Sequence, residues 1–390
     1  MMDAQLFMAI FRDKHFFDLK RLRHKYGAGA VDEAIELLKA TVYRRLAIKD
    51  FQGQPLVFCP SFINIQDDTY KALLSGDNGE PYSIARMEEE IDSTLAIENI
   101  YSSRSSIQNI LRGAAPKNSE EDRIYGIKRG LDFIADKSNQ ITTENLHRLY
   151  MMAIGDYLDE NEKLLPGNYY RHDSVYVVGS TVFHRGLEHG LLKQYMDEFI
   201  SFINTKDDLG VIVKSAVIHF YFSYLHPYFD GNGRMARMVQ LWYLIQNDYH
   251  AALLVSFSQL IKNSKSQYYK AFELVEGNAE VSKIIDVTPF LNYFNKNVFS
   301  KLIGQKNNRN LLELFQRHVT DGRITVKEKE LFIFVLSNYD RAEFSTKQLE
   351  KDYKNAAYAT IRSFVLKFTE LGLLSAQKYG NKTKYRIKEY

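Results

Sequence analysis

The sequence predicts a mainly α-helical protein with a few short β-elements. Only seven prolines occur in 390 residues, so long stretches lack the residue that most often ends helices. Apolar residues recur at helical spacing in several long runs. Strand-like runs are short: LVFC at 56–59, VYVV at 175–178, and the end of the chain. A chain of this length is enough for two or three domains that each bury a core.

Residues 30–47 (AVDEAIELLKATVYRRLA) are the first clear helical run. The turn-rich SGDNGEP at 75–81, with Gly76, Asp77 and Gly79, then marks a joint, which sets off an N-terminal segment, 1–79. A central domain, 80–303, carries further helical runs at 186–203, 211–225 and 234–246. In a linker region, 304–325, GQKNNRN and TDGRIT bracket one short helical run. The last segment, 326–390, reads as helices at 326–338, 345–353 and 356–371, then strands LLSAQK and KYRIKEY joined at Gly380-Asn381. Three helices followed by a hairpin is the pattern of a winged helix. Its third helix carries Arg362 and Lys367, and its hairpin carries Lys378, Lys382, Lys384, Arg386 and Lys388. Those residues fit a DNA-contacting surface. Because the third helix is more apolar than basic, the reading leans toward a small domain packed on the main body or on a second copy of the chain.

Lys and Arg number 51 and Asp and Glu 48, for a net charge of +3. Charge over the whole chain therefore gives no reason to expect nucleic acid, and any such role must be local. A single cysteine, Cys59, excludes an internal disulfide and a cysteine-based zinc cluster, and fits a reducing, cytoplasmic location. The N-terminal MMDAQLFMAIFRDKHFFDLKRLRHKYG has charges inside its apolar run and no small-residue cleavage site, so no signal peptide is expected. No run approaches the roughly 18 apolar residues of a membrane span.

The most informative stretch is HPYFDGNGRMAR, 226–237, between two strongly apolar helical runs. VIVKSAVIHFYFSYL at 211–225 is apolar almost all round, which predicts a buried helix with His226 at its C-terminal end and Pro227 forcing the chain out. Gly231-Asn232-Gly233 then allows positive φ and leaves backbone N–H groups uncovered at the start of the next helix, a ready anion site. Arg234 and Arg237, three apart in its first turn, oppose the helix dipole unless an anion such as a polyphosphate joins them. Asp230 cannot bind phosphate directly, but suits a magnesium ion bridging phosphate oxygens. His226 can accept a proton from a hydroxyl that attacks the phosphate. Each feature alone has an ordinary structural explanation; their joint order is what points to chemistry.

This stretch resembles the signature of the Fic family, H-x-F-x-(D/E)-G-N-G-R-x-x-R, with Tyr228 in place of the usual phenylalanine. The resemblance implies a helical core that transfers AMP from ATP to a hydroxyl of a target protein. His226 would then be the base and Asp230 the magnesium ligand. Gly231, Asn232, Gly233, Arg234 and Arg237 would bind the phosphates. PGNYYRHDSVYVVGSTVFH at 166–184 looks like the family's flap, a hairpin whose edge, here Val175, Tyr176, Val177 and Val178, holds a target segment by strand addition. SFSQLIKNSKSQYYKAFELV at 256–275 is similar to the segment that closes the nucleotide pocket, which makes Asn263 and Tyr269 candidates to contact adenosine; DVTPFLNYF at 286–294 looks like the helix that follows in many members. The resemblance covers roughly residues 80–300.

Upstream, TLAIEN places Thr94 and Glu98 four apart on a predicted helix, with Asn99 next, and matches the family's inhibitory pattern (S/T)-x-x-x-E-(G/N). The resemblance implies that Glu98 pairs with Arg237, occupying its fork and repelling the γ-phosphate. The neighbouring acids Glu88 to Glu90 read as solvent-facing. The expected activity is thus an autoinhibited protein adenylyltransferase acting on Tyr, Thr or Ser, with ATP as substrate and Mg2+ as cofactor. Its expected partner is a target protein, with self-modification and a second copy of the chain left open. Removal of AMP, a different nucleotide donor, or a DNA-binding regulator with a nucleotide-sensing body are the alternatives.

Overall fold

In the computed structural model, the described residues are 3–63, 65, 67–74, 84–178, 183–304, 311, 314, 315, 317–339, 342–353, 356–380 and 382–388. The breaks expected at SGDNGEP and GQKNNRN fall almost entirely outside them, as do the tip of the flap and Asn381. The chain divides into two units, Met1–Asn78 with Glu88–Ser300, and Gly79–Met87 with Lys301–Tyr390.

The first unit begins with α1 (Ala4–Phe11), α2 (Leu19–Tyr26) and α3 (Ala28–Thr41), then the hairpin β1 (Arg44–Lys49) and β2 (Pro55–Phe58). The helix expected over 30–47 stops at Thr41 and the chain turns into β1. From Arg45 to Lys49 burial alternates between exposed and buried, a period of two rather than 3.6, and β-branched Val42 and aromatic Tyr43 favour the change. The 1–79 segment that the sequence reading sets apart belongs to this unit. Leu19 N–H donates to Asn278 Oδ1 (3.0 Å), and Tyr43 Oη to Asp286 Oδ2 (3.0 Å). Val57 exchanges backbone bonds with the chain at Ile285 and Val287. Such long-range pairs leave no local trace in sequence.

Next come α4 (Asp67–Leu74), α5 (Ile84–Ile97), α6 (Arg104–Leu111), α7 (Ser119–Ala135) and α8 (Thr143–Ala153), and the antiparallel pair β3 (Tyr176–Val178) and β4 (Phe183–Arg185). The run expected to be helical from 186 starts only at Leu192, as α9 (Leu192–Asn204), behind a short turn of 3-10 helix containing Gly190. At the centre lie α10 (Val211–Leu225) and α11 (Asn232–Gln246), followed by α12 (Phe257–Asn263), α13 (Lys265–Ser282) and α14 (Thr288–Tyr293). Every residue of α10 from Ile212 to Phe222 is buried, as are those of α11 from Arg234 to Ile245. Asp67 caps α10 from a distance, accepting the N–H groups of Val211 (2.6 Å) and Ile212 (3.0 Å).

In the second unit, helices Val326–Tyr339, Thr346–Tyr353 and Tyr358–Glu370 precede the hairpin β5 (Leu374–Tyr379) and β6 (Lys382–Ile387). Its core includes Phe332, Leu349, Ile361, Phe364 and Phe368. On the far edge of β6, Phe344 pairs with Tyr385. No helix among the described residues is long and apolar enough to cross a membrane.

Candidate active site

The turn between α10 and α11 is held by its own backbone and by one side chain. His226 ends α10 in the left-handed conformation (φ 53°, ψ 60°), which a residue without glycine's freedom adopts only when its surroundings enforce it. Arg171 does so. Its guanidinium donates to the carbonyls of His226 (2.8 Å), Asp173 (2.5 Å) and Leu187, and its own N–H donates to Pro227 O (3.0 Å). Asn232 closes the turn from the other side: its Oδ1 accepts from Tyr228 N–H (2.9 Å) and its Nδ2 donates to Tyr228 O (2.8 Å). The Asn232 side chain thus folds the loop, while its backbone belongs to the helix start. Tyr228 is fully buried with its ring stacked on Tyr150 (3.5 Å), which accounts for an aromatic at this position.

His226 Nδ1 faces Ser223 O at 3.3 Å, which sets the proton on Nδ1 and leaves Nε2 as the acceptor. Burial, reinforced by His184, lowers the His226 pKa from 6.5 to about 4. The ring is therefore neutral across the physiological range.

Beyond the turn, Gly231 (φ 80°) starts α11 with no side chain capping it. Arg234 and Arg237 are 3% and 4% exposed, so both charges are taken from water. Arg234 pairs with the half-exposed Asp230 at 2.5 Å. Arg237 reaches α5: Nε donates to Thr94 Oγ1 (2.8 Å), and Nη2 to Thr94 O (3.1 Å) and Glu98 Oε1 (2.8 Å). Burial works against the Arg237 charge, but Glu98 together with Tyr268 and Tyr269 outweighs it and raises its pKa. Arg234 Nε and Arg237 Nη1 are buried with no hydrogen-bond partner among the described residues. A Cβ on Gly233 would run into Glu98 Oε1, so the carboxylate lies directly over the first turn of α11. Asn99 (φ 59°) ends α5 in the left-handed region, where Asn or Gly is favoured, and Ile100 N–H closes back on Leu95 O (3.0 Å).

Glu90 corrects the sequence reading of it as a surface acid. It is 5% exposed and its carboxylate accepts from Ser256 Oγ (3.0 Å), Ser258 N–H (3.1 Å) and Ser258 Oγ, at the start of α12. Burial raises its pKa, against those hydrogen bonds. Glu90, Thr94 and Glu98 are spaced by four, the signal that would have placed them on one helix face. At the other end of α5, Lys265 Nζ donates to Asn99 Oδ1 (2.7 Å), and Tyr269 Oη to Ile97 O (3.2 Å). Tyr269 thus meets the C-terminal end of α5. Asn263 is exposed at the end of α12, and among the described residues no hydrogen bond joins it to the turn.

The hairpin β3–β4 runs from Val175, whose carbonyl accepts from Gly186 N–H (3.1 Å), with Val177 opposite His184. Tyr176 points outward, 51% exposed. His184, which sequence reasoning passed over, ties β4 to the core: Nε2 lies 2.9 Å from Tyr224 O, and Nδ1 2.6 Å from Glu276 Oε1. Its ring centroid is 6.3 Å from that of His226. A Cβ on Gly186 would touch His226 Cβ (3.0 Å) and Arg171 Nη2 (2.9 Å), so only glycine lets the hairpin approach His226 this closely.

Residues 140–244, which hold α10, the turn and nearly all of α11, match the Fic/DOC family. The chain is distantly related to protein adenylyltransferases named Fic. It is 25% identical over 179 residues to that of Drosophila grimshawi and 24% over 180 residues to that of Aedes aegypti. Each match covers 45% of this chain and 32% of the relative, so the chain spans about a third of the length of these curated relatives. Among solved structures it resembles a Fic family protein from Desulfovibrio desulfuricans G20, at 18% identity and a TM-score of 0.46, over 78% of this chain and 86% of that one.

Proposed function

We propose that this protein transfers AMP from ATP to a Tyr, Thr or Ser hydroxyl of a target protein, and that Glu98 restrains it. The observation that carries this reading is the divided fork of Arg237. One arm is held by Glu98 and Thr94, while Nη1, with Arg234 Nε, is a buried donor without a partner beside an uncapped helix start. Buried donors in such a place suit an anion with several oxygens. The γ-phosphate and Glu98 would compete for the same fork, so nucleotide bound beside Glu98 would be displaced from the attacking line.

His226 takes the proton of the target hydroxyl on Nε2. The oxygen forms a bond to the α-phosphorus, the bond from that phosphorus to the β-phosphate oxygen breaks, and pyrophosphate leaves. Backbone N–H groups at the start of α11 and the two arginines hold the departing charge. Asp230 would hold Mg2+, which supplies charge neutralisation on phosphate oxygens; a single half-exposed carboxylate suits a cation that keeps water and substrate oxygens as its other ligands. The exposed edge of β3 would align the target by strand addition.

Labelling by Glu98→Gly separates the outcomes. With ATP radioactive at the α-phosphate, the variant should label protein at least about tenfold faster than wild type, the equivalent of roughly 1.4 kcal/mol. Label from the γ-phosphate instead would identify kinase-like transfer and overturn the reading. Absence of label from both, with candidate target proteins present, would also count against it.

A further inference from the structure

Charge in the second unit is segregated along the chain. From 317 to 353 basic and acidic residues balance, seven of each. From 356 to 388 there are seven basic residues against the single acid Glu370, a local surplus larger than the net +3 of the whole chain.

The fold turns this surplus into a surface. Along β6, Tyr385 and Ile387 are buried and Thr383 is partly buried, while Lys382, Lys384, Arg386 and Lys388 are exposed. The register sets Tyr379 opposite Lys382, Gln377 opposite Lys384 and Ser375 opposite Arg386. Cations therefore recur at every second residue, roughly 6.6 Å apart, beside hydroxyl and amide groups. Glu343 is the acid at this face, 3.4 Å from Lys384 and accepting from Tyr379 Oη (2.8 Å). Among the described residues, Lys382, Arg386 and Arg362 have no ion-pair partner.

The helix Tyr358–Glu370 looked too apolar for nucleic acid in the sequence. Its apolar residues Ile361, Phe364, Val365 and Phe368 are the buried ones, and the stripe left in solvent is Ala359, Arg362, Ser363 and Leu366. The objection from its composition therefore falls. This helix is continuous with the hairpin: Leu373 N–H donates to Phe368 O (2.8 Å), and Lys388 N–H to Leu373 O (3.2 Å).

We propose that the third helix and hairpin of the second unit form a docking surface for duplex DNA. The complementarity is between a fixed row of cations on a hydrogen-bonded strand pair and the regular phosphates of a duplex. A helix about 10–12 Å across, with Ala359 and Ser363 on its open side, fits a major groove about 12 Å wide. A membrane surface is the weaker partner, because it needs a continuous apolar face. Here Tyr358, Leu366 and Tyr379 are the exposed large apolar side chains of the described helix and hairpin.

Fluorescence anisotropy of the full chain with a labelled mixed-sequence duplex of about 25 base pairs tests this, at salt from about 50 to 200 mM. Binding is expected with a Kd on the order of 1–100 µM at the low end, weakening steeply with salt. Lys382→Gln with Arg386→Gln should make the slope of log K against log salt shallower by about 2, and Arg362→Ala should weaken binding further. Matching thermal melts would show that these exposed substitutions leave the fold intact. No binding at the lowest salt would overturn the proposal, as would binding that the substitutions leave unchanged. Capture of phosphatidylserine vesicles, or of single strands in preference to the duplex, would overturn it in favour of another partner. No nucleotide takes part in the measurement, so its failure leaves the adenylyltransferase reading untouched.

Discussion

Helix α5 and the hairpin β3–β4 both reach the turn between α10 and α11, and they are held there in different ways. α5 is fixed along its length by buried or half-buried polar groups: Glu90 on Ser256 and Ser258, Thr94 and Glu98 on Arg237, and Lys265 at its C-terminal end. The hairpin is fixed at its base by Arg171 and the Leu187 N–H to Leu225 O bond (3.2 Å) and along β4 by His184, while Tyr176 on β3 stands in solvent. The difference separates two tasks. A half-buried carboxylate on a buried arginine is specific and costly to break from one side, though it gains less than its Coulomb energy suggests. That suits a contact that another anion must displace. An exposed strand edge with a rigid base suits a segment that arrives from outside.

His226 is where the two regions meet, and its loss should have the largest effect. His226→Ala should lower the rate of AMP transfer by about a hundredfold to ten-thousandfold while nucleotide affinity changes little, measured by labelling and by nucleotide titration. Transfer retained by this variant would remove His226 from the role of base. Glu90 touches neither the hydroxyl nor the phosphates in this scheme, so Glu90→Ala tests whether α5 works as a unit. Loosening its anchor should free Glu98 from Arg237 part of the time and raise basal labelling a few-fold, short of the increase in Glu98→Gly. An unchanged rate, with α5 equally protected from amide exchange, would make Glu90 a packing residue only.

The turn was legible in sequence because its parts are contiguous. Helix, proline, glycines and arginines follow one another, and a twelve-residue stretch fixes where each must lie. Thr94 and Glu98 were legible for a related reason, the helical spacing of four. What stayed hidden depends on residues far apart in the chain. Arg171 meets His226 across 55 positions with no local pattern that distinguishes it from a surface charge, and Glu90 meets Ser256 across 166, a partner that its spacing of four from Thr94 does not name. The β1 strand was missed because Val42 and Tyr43 follow directly on a good helical run, and the pairing with β2 that decides the matter is tertiary. The third helix of the second unit shows the limit of composition taken alone. Its composition was read without knowing which face the core would take.

The smallest effect is expected at His184, and it tests whether the hairpin does more than present a target. Nε2 of His184 lies 2.9 Å from Tyr224 O and Nδ1 2.6 Å from Glu276 Oε1, which fixes its ring 6.3 Å from that of His226. After burial, His184 is the largest cause of the lowered His226 pKa. Arg171 acts in the same direction, whereas Ser223 O and Asp230 oppose it. In the proposed role of base His226 works only when neutral, so activity should be full at neutral pH and be lost as pH falls through about 4. His184→Gln keeps an amide donor for Tyr224 O and removes the imidazole. The His226 pKa should then move up toward its ordinary 6.5, and the acidic limb of kcat/KM against pH should move up with it, while the plateau at neutral pH stays in place. Glu98→Gly is the background for this measurement, so that the inhibitory contact does not mask the limb. A limb that stays put would assign the low pKa to burial alone and reduce the hairpin to a docking edge; a limb that moves would show that the flap sets the protonation of the base it lies beside.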